Sequence, residues 1–182
     1  MSLLNNETPD AKPLSIGFYV RHMMRYGFVL GLFMSLQFLS LLLYDFGIIA
    51  QLIYVGMFLA IPVLIVVLAR HFRRNVRGDV MSYLEAVGFL LGTYLFAMII
   101  NFLAYYVGFS ILLADPEWMG LMEQFVDLWI RQSPQATSEE IDIVRSILYM
   151  TPKQLAKQLA TTAMFLGFVY IYIVAFFVKK TR

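Results

Sequence analysis

LEAVGFLLGTYLFAMIINFLAYYVGFSILL, residues 84–113, carries one charged side chain, Glu85, in thirty positions. Thirty helical residues rise about 45 Å, more than the roughly 30 Å hydrocarbon core of a bilayer. A run of this length and polarity reads as a membrane span that tilts, or whose last turns project beyond the bilayer from about Tyr105. Three further blocks share its character. GFVLGLFMSLQFLSLLL, 27–43, belongs to a first span from Tyr26 to Tyr44. The mixed stretch before it, Ile16 to Arg25, continues the same helix into the headgroup region, where Arg21 and Arg25 snorkel. Asp45 and Gly47 make a short turn into a second span, Gly47 to Leu68, where Pro62 is expected to introduce a kink. Leu159 to Val178 forms the fourth, closed by Lys179, Lys180 and Arg182.

Composition agrees. Of 182 residues 60% are hydrophobic and 14% charged, whereas a soluble domain averages about half and about a quarter. Blocks this long cannot all be buried in one water-soluble core of this size. Cysteine is absent, which excludes a disulfide framework, a thiol nucleophile and a cysteine–zinc site. There is no phosphate-binding glycine loop, HExxH, dinucleotide fingerprint or Ser-His-Asp order. That counts against an enzyme, and no catalytic residue, cofactor or metal site is assigned. His22, His71 and Glu85 lack ligand spacing. Met1 to Ser15 lacks the charged-then-apolar order of a signal peptide and reads as an uncleaved cytoplasmic tail.

The basic residues orient the chain. Four spans put Lys12, Arg21, Arg25, Arg70, Arg73, Arg74, Arg77, Lys179, Lys180 and Arg182 on one side. The other side holds Arg131, Arg145, Lys153 and Lys157, beside Asp45 and seven acids between 114 and 158. The termini and the 69–83 loop are therefore expected in the cytoplasm, and the 114–158 segment outside, which is periplasmic in a Gram-negative inner membrane. In that segment Asp115-Pro116-Glu117 opens a helix with Trp118, Met122, Phe125 and Trp129 on one stripe. Thr137 and Glu140 form a capping box for a second short helix, and Thr151-Pro152 starts a third that runs into the last span. The expected fold is an all-α integral membrane protein: a four-transmembrane-helix bundle with a periplasmic amphipathic helical insertion between spans three and four.

Four small-residue pairs, Gly27/Gly31, Gly56/Ala60, Gly88/Gly92 and Ala163/Gly167, mark candidate helix contacts. Spans one and three are expected to cross at Gly27/Gly31 and Gly88/Gly92. Packing within one chain is the preferred reading, with homo-oligomerisation behind it. Gln37 and Asn101 are the polar residues deepest in the membrane. They read as interhelical hydrogen-bond partners or, more sharply, as lining a substrate path. Arg70, Arg73, Arg74 and Arg77 with Glu85 read either as a topology signal and a salt-bridged helix start, or as a surface for anionic lipid or a partner. The Trp118–Trp129 helix reads as interfacial, or as a cap on the bundle. Nucleic acid is not an expected partner.

Gly78-Asp79-Val80-Met81-Ser82-Tyr83-Leu84-Glu85-Ala86-Val87-Gly88, followed after span three by Ala114-Asp115-Pro116-Glu117-Trp118, resembles a Bacteroidota membrane family, domain of unknown function 4199. The resemblance covers nearly the whole chain and rests on the order and spacing of short motifs. Leu84, where the family more often has glycine, and Val87, in place of a usual aromatic, depart from it. The resemblance implies no activity. It does imply a genomic neighbourhood with a family-two glycosyltransferase similar to polyprenyl-phosphate mannose synthases. On that ground the chain is expected to be a non-catalytic inner-membrane scaffold or accessory subunit, whose partners are membrane lipids and a membrane-associated protein such as that glycosyltransferase. A small transporter or lipid-handling protein, with Gln37, Asn101 and the second span lining a path, is the rival.

Overall fold

The structure, a computed structural model, describes residues 15–180. Lys12, Arg182 and nearly all of the expected N-terminal tail lie outside the described residues.

Helix α1, Ile16–Leu39, starts at Ser15, whose hydroxyl accepts from the Phe18 N–H. It tightens into a 3-10 helix, Ser40–Phe46, and stops at Gly47, with φ +56° and ψ −126°. Only glycine takes that conformation cheaply, and it lets the chain reverse at once. Helix α2, Ile48–Val76, runs through Pro62 as one assigned helix. Ser82 caps α3, Tyr83–Leu112, by accepting from the Glu85 N–H. Asp115 caps α4, Pro116–Gln132, with proline at the first helical position. A Thr137–Glu140 capping box opens α5, Ser138–Ser146, and a Thr151–Gln154 box opens α6, Pro152–Val178. Four helical stretches are long and apolar enough to cross a membrane: α1 with its 3-10 extension, α2, α3 and α6. The chain is a multi-pass membrane protein built as a helical bundle.

Glycine decides how the bundle closes. A Cβ built on Gly27 would lie 2.6 Å from Phe96 Cβ and 2.7 Å from the Thr93 carbonyl oxygen. One on Gly31 would lie 2.8 Å from the Ala97 carbonyl oxygen, and one on Gly108 would lie 2.6 Å from Phe38 Cε1. The numbers rise together, so α1 and α3 run parallel with their backbones nearly touching. In lipid no hydrophobic driving force joins helices, so close backbone packing of this kind must do so. On another face of α3, Gly167 of α6 leaves room for the Tyr94 ring, and Tyr94 Oη donates to the Ala163 carbonyl (2.7 Å). Helix α2 is the least embedded. Ile65, Ala69, Phe72 and Arg73, all beyond Pro62, are buried, but before Pro62 only Ala50 is.

The expected crossing at the Gly88/Gly92 pair needs correction. Gly92 does face α1, through Met23, but Gly88 is exposed with nothing within 4 Å of an added Cβ. Spacing alone does not decide this, since Gly27 and Gly31 are also four residues apart and both meet α3; what decides it is which face of α3 carries the pair, and Gly88 lies on an exposed one. Gly56 likewise meets nothing within 4 Å. Replacing Gly31 by leucine should therefore lower the melting temperature in detergent sharply, the cost of forcing two packed helices apart being about 1–3 kcal/mol or more. Gly88→Leu should change it little. Equal losses would contradict the α1–α3 contact.

Candidate functional site: an intramembrane groove

One end of the bundle, which holds the α2–α3 turn, is clasped shut. Arg73 is 8% exposed; its Nε donates to Asp79 (2.9 Å) and its Nη1 to the Val178 carbonyl (2.6 Å). Lys180 pairs with the other Asp79 oxygen, and Met81 and Lys180 exchange backbone hydrogen bonds of 2.9 and 3.0 Å. The end of α6 is thereby tied to the α2–α3 turn. Asp79 sits there at φ +64°, a conformation that aspartate and asparagine tolerate better than most residues. The Lys180 hydrogen bond, with the charges of Lys180 and Arg73, holds its carboxyl below the ordinary range. Beside this clasp Arg77 Nε lies 2.5 Å from Glu85, which also accepts from the Tyr19 hydroxyl of α1. Phe72 and Phe89 stack beneath at 3.8 Å, with Tyr26 edge-on to both. Among the described residues no three His, Asp or Glu side chains converge as metal ligands.

Of the four arginines in this turn, Arg73 and Arg77 are thus consumed in holding the bundle together, while Arg70 and Arg74 are exposed. Glu85 is an ion-paired helix start. Sequence could not distinguish the four, because Arg73 finds a carbonyl 105 residues away.

The opposite half of the bundle is open. Helices α1, α2, α3 and α6 surround a groove of about 390 Å³, within the range of about 300–1,000 Å³ common for small-molecule sites. Phe38, Phe58 and the tyrosines Tyr54, Tyr94, Tyr105 and Tyr170 supply aromatic walls. Phe58, Leu59 and Leu166 at the rim are more than half exposed, so the groove opens sideways between α2 and α6. Pro62 lies in its wall; lacking an N–H, it leaves the Phe58 carbonyl without its usual helical donor. Gly167 also lines it.

Gln37, 6% exposed, is part of this lining, but its Nε2 is fully buried and has no hydrogen-bond partner among the described residues. Asn101, 1% exposed, is not part of the lining; both of its amide atoms are unpartnered. The parallel register places it one turn beyond Ala97, level with Ser35, whose hydroxyl is also unpartnered. The two amides are therefore not brought together, and only Gln37 meets the groove. The tyrosines were missed in sequence. They come from three helices, and nothing in their separate spacing marks one wall.

At the open end Tyr44 packs on Trp118 with ring centroids 5.2 Å apart and donates to Asp115. That bond and the Glu117 N–H hold the Asp115 carboxyl below its ordinary range. Helix α4 is thereby fixed at the end of α1. Val126 is its one buried residue, while Leu121, Phe125 and Leu128 remain exposed. Trp118 and Trp129 are half-buried. An apolar flank of this kind suits the interfacial layer of a bilayer.

A family model described as "Protein of unknown function (DUF4199)" matches residues 25–180. The chain belongs to that family. No curated protein and no solved structure matches it.

Asp79 offers a test of the clasp. Because its folded pKa is lowered, its contribution is complete above the ordinary carboxylate value of about 3.9 and is lost as pH falls through the lower folded value. Asp79→Asn keeps the backbone conformation and removes the charge. It should melt earlier than wild type at pH 7, and the difference should shrink as pH falls toward 3. A pH-independent difference would show that the charge is not what matters.

Proposed function

We propose that this member of the family is a lipid-handling membrane protein, in which the groove receives the hydrocarbon chain of a membrane lipid. The observation that carries the reading is the groove itself: apolar and aromatic, walled by four spans, open toward lipid between α2 and α6, and clasped at one end. A chain entering between α2 and α6 exchanges lipid contact for aromatic contact without desolvating a charge, since no charged side chain lines the groove. Gln37 is the one polar side chain that α1 contributes to the lining.

Orientation belongs to the same proposal. The clasped end carries the excess of lysine and arginine, which favours a cytoplasmic position for it and for both termini. Between Asp115 and Lys157 the acids outnumber the bases, as suits an outer, periplasmic segment of an inner-membrane protein. The groove then opens in the outer leaflet.

A scaffold role beside a glycosyltransferase has less to rest on. It drew on the neighbourhood that the resemblance implies, with the four arginines as a compatible surface; of these Arg70 and Arg74 remain exposed, and no comparison bears on such a partner. Those two, with Arg21 and Arg25, leave a modest basic face for anionic headgroups, worth about 1 kcal/mol per residue near a charged surface.

Filling the groove tests the reading. Leu59→Trp and Leu166→Trp place bulk at its rim from α2 and α6. Native mass spectrometry of protein extracted in mild detergent should find a retained lipid on wild type and several-fold less on either variant, at similar melting temperatures. Equal retention would place the lipid elsewhere. For orientation, cysteines introduced at Asn75 and Gln135, both exposed, should label from opposite sides of the membrane. Labelling of both by an impermeant reagent in intact spheroplasts would overturn the four-span topology.

A further inference from the structure

Helices α2 and α6 run side by side in the same direction, and their seam does not end at the groove. Leu59 and Leu166 stand on the groove's rim. Eleven residues make about three helical turns and rise about 16 Å. Arg70 therefore follows Leu59 on the same face of α2, and Phe177 follows Leu166 on the same face of α6, both nearer the clasp. The bond from Arg73 to the Val178 carbonyl sets the level of the two helices. Arg70 and Arg74, one turn apart, stand a little above and a little below Phe177 in depth. Between these arginines and the groove the seam is apolar and bare: Val63, Val67, Ile173 and Phe177 are each more than half exposed.

Arg70 and Arg74 are exposed as well, and neither is ion-paired among the described residues. The acids that could neutralise them are committed. Among the described residues the clasped end holds Asp79, paired with Arg73 and Lys180, and Glu85, paired with Arg77 and bonded to Tyr19. Lys179, level with Arg74, adds positive charge with its ammonium 4.1 Å from the Phe176 ring.

We infer that this seam seats an anionic phospholipid of the leaflet at the clasped end, with its phosphate on Arg70 and Arg74 and an acyl chain along Val63, Val67, Ile173 and Phe177. A guanidinium fork takes phosphate oxygens two at a time, and this stripe presents one fork per turn. Basic sites between spans at headgroup depth suit lipid headgroups, and the apolar seam beside this one adds chain contact that a soluble anion cannot use. Arg21 and Arg25 do not share the site. They belong to α1, which meets the other flank of α2, where Tyr26 packs on His71. The site is separate from the groove and stands whatever the groove receives.

The test uses the full-length protein, delipidated in mild detergent at low salt. The probes are palmitoyl-oleoyl phosphatidylglycerol and palmitoyl-oleoyl phosphatidylcholine, with bound fraction read by native mass spectrometry. Wild type should retain phosphatidylglycerol several-fold better than phosphatidylcholine. Arg70→Gln/Arg74→Gln should weaken phosphatidylglycerol retention at least about tenfold, as the loss of two juxtamembrane cations predicts. It should leave phosphatidylcholine retention and the melting temperature unchanged. Arg21→Gln/Arg25→Gln removes the same charge from α1 and should change retention much less. Equal losses from the two pairs would mean a diffuse basic face and overturn the site, as would a wild type without preference. Displacement of the lipid by excess inorganic phosphate would make this a site for soluble anions and overturn the lipid assignment. Should the double variant melt early, Arg74→Gln alone must still lose part of the preference; a preference kept in full overturns the inference. Leu166→Trp, which fills the groove, separates the two sites. If it abolishes the preference, the anionic lipid sits in the groove and this inference fails while that reading holds. If it changes no retention at all, the groove reading fails and this one stands.

Discussion

The close parallel approach of α1 and α3 is the contact on which the other helices are hung. Inside a bilayer each helix already satisfies its own backbone, and lipid is as apolar as leucine, so helices associate through shape. Gly27, Gly31 and Gly108 remove the side chains that would hold these two apart. Once the pair is set, α3 presents Tyr94 toward Gly167 and Ala163 of α6, and Phe89 toward Phe72 of α2. The other two spans, α2 and α6, are placed on this pair, and α2 has the fewest buried residues of the four spans.

This order of attachment makes the two ends of the bundle unlike. At the α2–α3 turn, ion pairs, a carbonyl hydrogen bond and a backbone bridge tie three helices together. Such bonds are individually small where water reaches them. Arg73, nearly buried and aimed at both Asp79 and Val178, is where they gain most, because breaking a buried pair leaves a charge uncompensated. At the other end Tyr44, Asp115 and Trp118 fix α4 to α1, but among the described residues no ion pair or side-chain hydrogen bond joins α2 to α6 there. The groove is the consequence. Two helices are pinned together at one end and not at the other, and the groove lies between them.

Much of the architecture could be read from the sequence because the bilayer imposes it. Span length, the turn at Gly47 and the caps at Asp115, Thr137 and Thr151 depend on local chemistry, which a few neighbouring residues contain. The site was less legible. The small-residue pairs named plausible contacts without naming a face, so Gly27 and Gly31 meet α3 while Gly88 looks outward. The arginines looked like one basic surface, and two of them are internal fastenings whose partners lie far along the chain. Gln37 was conspicuous as an amide in an apolar span. Its tyrosine neighbours were not, because aromatic residues are ordinary in membrane helices and only the folded chain assembles them from α2, α3 and α6.

The geometry of α2 gives the groove a further property. Of its buried residues Ile65, Ala69, Phe72 and Arg73 follow Pro62, and only Ala50, beside the turn at Gly47, precedes it. A proline removes one helical hydrogen bond and so lowers the cost of bending at that position. The upper half of α2 therefore rests on two supports, the Gly47 turn and whatever lies between it and α6. A ligand that packs well against Tyr54, Phe58 and Leu59 supplies contacts which the bundle alone does not, and its binding stabilises one position of that half-helix over others. On the proposed lipid-handling reading, groove width and occupancy are linked for this reason: the wall that would admit the lipid is also the wall that it would hold in place.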